Sequence, residues 1–240
     1  IELIVARDEQ IGVQNAPECI QRINEQYSIW YYDGNSVPPL SIETYSYTSI
    51  PKVFWLMDST SLDASGILAL QNQPTFSLRG TGVLVGIIDT GIDYTNPVFQ
   101  NPDGSTRIVS IWDQTQTSTQ EQTQEFLYGE IYDRDKINQA LLNENPRSIV
   151  PVVDENGHGT FMTGLGAGSD REEDDFTGIA PGADILVVKL KEADSCLKKF
   201  WFVSEETPAY EEGDLIAAVD FLIEFAQQRN QEMVLYLGVS

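Results

Sequence analysis

The chain has 240 residues, 41% of them hydrophobic, which suits one large domain or a medium domain with a small companion. Its 37 acidic residues against 14 basic ones exclude nucleic acid and an anionic membrane as partners, since both require a basic face. No apolar run approaches the roughly 20 residues of a membrane span, and Cys19 and Cys196 lie too far apart for metal-type spacing.

Residues 1–49 read as a small α+β unit. IELIVA is a strand. Residues 15–27, NAPECIQRINEQY, read as a helix capped by Asn15, with apolar positions at Ile20, Ile23 and Tyr27. SIWYY, before the turn Asp33-Gly34-Asn35, is a second strand. The alternation in SIETYSYTS, residues 41–49, predicts an extended segment that Pro51 stops. A unit this small has a thin core and leans on the larger C-terminal part of the chain.

From about residue 50 the pattern changes. SGILALQNQP reads as a short helix or turn, and GTGVLVGIID, residues 80–89, as a buried strand. Within the polar stretch 100–150, IVSIWDQ reads as a strand and KINQALLNE as a short helix. A helix opens at His158, and GADILVVKL, residues 182–190, is another buried strand. DLIAAVDFLIEFAQQR, residues 214–229, is an amphipathic helix with apolar positions at 215, 216, 219, 222 and 225. EMVLYLG is a further strand. Strands alternating with helices predict an α/β fold with a parallel sheet. Ile1 in place of Met, and an end directly after MVLYLGVS, read as the ends of a piece of a longer protein.

Parallel sheets present functional residues at the carboxyl ends of their strands. Asp89 closes VLVGII there and admits two readings: a turn cap, or a carboxylate that orients a cationic group. His158, the chain's single histidine, lies between Gly157 and Gly159 in ENGHGTFMTG. Flanking glycines remove bulk where another segment or a substrate comes close. The helix opened by this motif tolerates Gly164, Gly166 and Gly168, each costing roughly 1 kcal/mol relative to alanine, which predicts tight packing against neighbours. An imidazole fixed at such a helix start can act as a general base. A base with an orienting acid forms two-thirds of a nucleophilic triad.

IIDTGID (87–93), GHGTFMTG (157–164) and GIAPGADILVVKL (178–190) together resemble the subtilases over residues 50–240. IPKVFWLMDSTSLDASGI (50–67), VVKLKEA (187–193) and GDLIAAVDFL (213–222) are similar to the clostridial Csp-like branch and related gut-bacterial subtilases. The resemblance implies a subtilisin-like parallel-sheet catalytic domain, here its N-terminal portion over 50–240, preceded by a propeptide-like α+β domain over 1–49. It implies a serine endopeptidase with Asp89 as orienting acid and His158 as general base. Gly238 would lie in the backbone wall that pairs with a peptide substrate. The family's nucleophilic serine and oxyanion asparagine have no counterpart motif in this chain. A C-terminal fragment of the same protein is therefore an expected partner beside the peptide substrate, and the chain alone is expected to be inactive.

The propeptide reading places self-cleavage near Ser49–Ile50, with TYSYTS as the extended inhibitory tail. Relative to short family members the chain carries an insertion over roughly 104–150. The chemistry requires no cofactor and no metal. Val98 stands where the family's strong calcium site would have a carboxylate, and the acidic run 169–176 is a candidate calcium loop whose alternative is a solvated surface. Asp93 and Asp113 read as turn or surface acids, Cys196 as structural or incidental, and residues 200–202 as core in preference to a cleft edge. The family suggests an extracellular or spore setting. Two rivals share the scaffold: an inactive pseudoprotease that binds or signals, and a free-standing fragment that regulates another protease. The apolar edge of MVLYLG argues against the second.

Overall fold

A computed structural model describes residues 1–7, 15–54, 78–117, 128–171 and 176–239. The expected helix or turn at 65–74 lies outside these residues. Three strands carry the centre: β5 (Leu84–Asp89), β6 (Ile108–Asp113) and β8 (Asp184–Lys189). Nearly every residue in them is buried, because layers cover both faces of the sheet. With β7 (Glu130–Asp133) and β10 (Met233–Leu237) they form a five-stranded sheet in the order β10-β5-β8-β6-β7. All neighbours are parallel except the edge pair β6–β7.

Alternate residues of each strand serve different layers. Leu84 and Ile88, with Leu186, Val188 and Trp112, face Leu215, Ala218, Phe221 and Leu222 of helix α4 (Glu212–Arg229). Val85 and Ile87, with Ile185, Val187 and Ile111, face the opposite layer. That layer holds α1 (Arg134–Leu141) through Ile137 and Ala140, and α2 (His158–Ala167) through Ala167. Each fully buried aliphatic side chain contributes about 1.5–3 kcal/mol relative to exposure, so this two-sided core fixes the strand register.

The described residues of the expected insertion over 104–150 take part in the sheet. They supply β6, a fully buried inner strand, together with β7 and α1.

The N-terminal unit forms an antiparallel sheet, β1 (Glu2–Ala6), β3 (Tyr27–Tyr31) and β2 (Cys19–Arg22), in that order. The expected helix over 15–27 is thus a strand and a turn. Asn24 Oδ1 accepts from the backbone N–H groups of Gln26 (2.8 Å) and Tyr27 (2.9 Å), closing a hairpin. Gln21 and Ile23 are buried while Ile20 is half exposed, a period of two imposed by pairing with β3. The extended segment expected at 41–49 is a run of turns. Ser41 Oγ accepts from Glu43 N (3.1 Å), its carbonyl from Tyr45 N (2.9 Å), and the buried Tyr45 hydroxyl donates to Pro38 O (2.5 Å). Short hydroxyl side chains compete for backbone groups and turn the chain.

Ser49 and Ile50 are fully buried beside Leu3 and Val5, and Ser49 O accepts from Ile4 N at 2.9 Å. The bond between them lies inside the unit's core rather than in an accessible extended tail, against the expected cleavage point. Strand β4 (Val53–Phe54) then pairs with β9 (Tyr210–Glu211). The unit's core also takes in Leu197, Phe200 and Trp201 from α3 (Ser195–Phe200) and its cap, so most of the 200–202 cluster is core. Phe202 instead is 96% exposed.

Candidate active site

Strand β5 ends at Asp89, where Thr90 and Gly91 turn the chain away from the sheet. Its carboxylate is fully buried, a costly placement unless every oxygen finds a donor. Thr90 N donates to Oδ1 at 2.7 Å, and His158 Nδ1 lies 2.8 Å from Oδ1 and 3.0 Å from Oδ2. Burial pushes the Asp89 pKa above its ordinary value, and the bonds from His158 and Thr90 oppose that rise. With Nδ1 facing both carboxylate oxygens, the ring carries its proton there and Nε2 is the basic nitrogen. The imidazole is 17% exposed, so it reaches solvent while its acid does not.

The two side chains meet because their elements are fastened by a second set of polar groups. Thr90 Oγ1 accepts from Gly159 N (2.9 Å) and donates to Asp154 Oδ1 (2.7 Å). Asp154 also accepts from Gly157 N (3.0 Å), Thr160 N (2.8 Å) and Thr160 Oγ1 (2.6 Å). Asp93 N in turn donates to Thr160 Oγ1 at 2.8 Å. Burial would raise the Asp154 pKa, but the bonds from Thr160, Thr90 and Gly157 outweigh it and hold the carboxylate below its ordinary value. Lys189, paired with Asp89 in the sheet register, sends its buried ammonium to Val153 O (2.5 Å) and Glu155 Oε2 (2.9 Å). The acidic lead-in before His158 is therefore an anchor for the helix start.

Two glycines explain themselves differently. Gly157 adopts φ +81° at the N-cap of α2, in open space, so its backbone conformation is what requires glycine. Gly159 has no such φ; a Cβ there would collide with the carbonyl oxygen of Gly91 and crowd Asp89 Cβ. The helix is pressed against the turn that carries the acid, as its glycine content predicts, although Gly166 faces open space.

Gly238 is buried next to Asp89. Its N–H donates to Ile88 O at 2.9 Å, and a Cβ would overlap the Asp89 carboxylate. Asp113 is a buried turn acid that accepts from Thr115 N (2.9 Å) and Oγ1 (2.6 Å). Asp93 does the same for Thr95, at 3.2 and 2.6 Å. Neither approaches the His158–Asp89 bond as a partner. Cys19 and Cys196 are free and exposed. Of the acidic run 169–176, residues 172–175 lie outside the described ones, and Asp170 is paired with Arg79. Val98 packs in the core. Sequence reasoning missed Thr90, Asp154, Thr160 and Lys189. The available signal was a run of small polar residues at fixed offsets around the Asp and His motifs.

A buried carboxylate at a parallel strand's end, holding a helix-start imidazole by Nδ1, has the geometry of the acid–base half of a catalytic triad. The family comparison agrees: the model of the subtilase family matches residues 80–212, and the chain belongs to that family of serine proteases. Among solved structures it is similar to the CspB protease of Clostridium perfringens, with 31% identity and a TM-score of 0.57. That likeness covers 71% of this chain and supports the Csp-like branch, while the match spans 31% of the CspB chain. A search of curated proteins finds no match. Among the described residues no helix is long and apolar enough to cross a membrane.

Proposed function

We propose that this chain carries the acid–base pair of a subtilisin-like endopeptidase, which hydrolyses peptide bonds through a serine acyl-enzyme. His158 Nε2 would take the proton of the serine hydroxyl and later deliver it to the leaving amine. Asp89 would hold the tautomer and balance the imidazolium. The observation that carries this reading is the Nδ1–carboxylate geometry of 2.8 and 3.0 Å on a buried acid with all its oxygens partnered. Gly238 would serve by lacking a side chain, leaving room for that carboxylate at the edge of a peptide-binding wall.

The serine would come from polypeptide that covers β10, whose Val234 is 61% exposed at the sheet edge. Residues 1–49 would act as a propeptide-like unit docked on residues 50–240. Burial of Ile50 counts against processing at residue 49. The substrate would be a peptide or protein, and the branch suggests an extracellular or spore setting. The intact pair favours this enzyme over a pseudoprotease.

The test is labelling of the whole protein by a fluorophosphonate. Labelling of one serine, lost in His158→Ala, is the expected result. A folded protein that stays unlabelled would overturn the reading and leave a binding role on the same scaffold.

A further inference from the structure

A second buried acidic site lies where the N-terminal unit meets α4. Glu2 of β1, Glu211 of β9 and Asp214 in the first turn of α4 each offer a carboxylate oxygen, all within 4.8 Å of one another. Glu211 is 2% exposed and Asp214 fully buried. Glu2 Oε2 and Glu211 Oε2 are buried without a hydrogen bond among the described residues, and Asp214 Oδ2 has only the Lys191 ammonium, at 3.1 Å. The hydroxyl of Tyr31, which Glu2, Asp214 and Glu211 all influence electrostatically, is also unbonded, as is Oε1 of the buried Gln114. Gln114 is held there by its own amide nitrogen, which donates to Asp214 O at 3.0 Å.

The cation already present does not satisfy this set. Lys191 Nζ lies 2.9 Å from Glu2 Oε1 and 3.1 Å from Asp214 Oδ2, and one ammonium balances only one of three carboxylates. Tyr128 donates its hydroxyl to Asp214 Oδ1 at 2.6 Å, and no donor among the described residues reaches Glu211 Oε2. A buried acceptor left without a partner costs about 1–3 kcal/mol, and more when charged. Here three carboxylates converge on one ammonium and one bonded hydroxyl, with the Tyr31 hydroxyl left unbonded, unlike the fully partnered Asp89 site.

We propose that Glu2, Glu211 and Asp214 bind a calcium ion that fastens the N-terminal unit to α4. The candidate ligand atoms are all carboxylate oxygens, which select a hard cation. Three oxygens within 4.8 Å of one another all lie within about 2.8 Å of a common point, so a small side-chain adjustment brings all three to the 2.3–2.6 Å of a calcium–oxygen bond. A double charge offsets the two carboxylates that Lys191 leaves unbalanced. Glu2 comes from one unit and its partners from the other, so the ion ties residues more than 200 positions apart. The site shares no residue with the Asp89–His158 pair.

Terbium(III) added to the 240-residue chain provides the test, since the adjacent Tyr31 and Tyr128 can sensitise its luminescence. Tyrosine-excited emission is expected, displaced by excess calcium and reduced at least about tenfold in Glu211→Gln and in Asp214→Asn. Asp103→Asn, on an exposed loop, should leave it unchanged. Calcium should also raise the thermal midpoint of the parent chain but not of the two cluster variants, and circular dichroism confirms that both remain folded. Emission insensitive to Glu211→Gln, or a midpoint that calcium leaves unmoved while acidification raises it, would overturn the proposal. The second outcome would show that protons, not a metal, fill the cluster.

Discussion

Asp89 and the Glu2–Glu211–Asp214 cluster are both buried acids, and they stand about as differently as two such sites can. Asp89 sits alone among donors: a backbone N–H and an imidazole N–H reach its oxygens, while Thr90, Asp154 and Lys189 lock the elements that supply them. In the cluster, three carboxylates share one ammonium and one tyrosine hydroxyl, and several oxygens go without a partner among the described residues. The first arrangement holds a single charge in one orientation, which suits proton transfer. The second stores repulsion until a proton or cation relieves it. Burial alone therefore does not decide what a carboxylate does; the ratio of donors to acceptors around it does.

The sharpest break in the comparison is Asp89→Asn. An amide of the same shape cannot hold the Nδ1–H tautomer, so the fluorophosphonate labelling rate of the whole protein should fall by a factor on the order of 10⁴. Next comes Gly159→Ala, which drives a methyl into the Gly91 carbonyl and separates helix from acid. Urea denaturation should show a loss of about 3 kcal/mol or more.

On the cluster side the sign reverses. Without added cation, Glu211→Gln should stabilise the chain at pH 8 by roughly 1–2 kcal/mol, because it replaces a carboxyl whose charged form burial and its acidic neighbours disfavour. The pH dependence obeys the same logic. Burial and Glu2 push the Asp214 pKa up to about 7 against the pull of Lys191, and burial with Glu2 and Asp214 pushes Glu211 up too. A carboxyl raised in the folded state binds its proton more tightly there than when unfolded. Its stabilising contribution is complete below the unfolded value near 4 and is lost as pH rises through about 7. Denaturation midpoints of the metal-free chain should decline across that window, and calcium should flatten the decline. Lys191 stays charged throughout, its pKa held above the ordinary range by Asp214, Glu2 and Glu211 despite burial. Smallest is Gly166→Ala. Its Cβ meets nothing, so α2 should gain roughly 0.5–1 kcal/mol while labelling stays unchanged, separating helix stability from the packing that Gly159 serves.

Much of this was legible in the chain itself. Runs such as VLVGIID and ILVVK are apolar at nearly every position, a pattern that a strand covered on both faces explains directly, so the α/β sheet could be read from them. The Asp89 and His158 motifs were equally plain, because glycines, small polar residues and one histidine at fixed offsets carry local chemistry. Tertiary contacts decided the remainder. Residues 15–27 have helical spacing, yet β3 offers an unpaired edge and Asn24 a turn, and pairing outweighs a weak local preference. Asp154 looks like any loop acid until folding brings Thr90 and Thr160 to its two oxygens. Glu2 and Asp214 are unremarkable in sequence and 212 positions apart; no periodicity links them. Their encounter, and the shortage of donors between them, exist only because β1 docks on the start of α4, since hydrogen bonds and charge balance depend on distance in space and not along the chain.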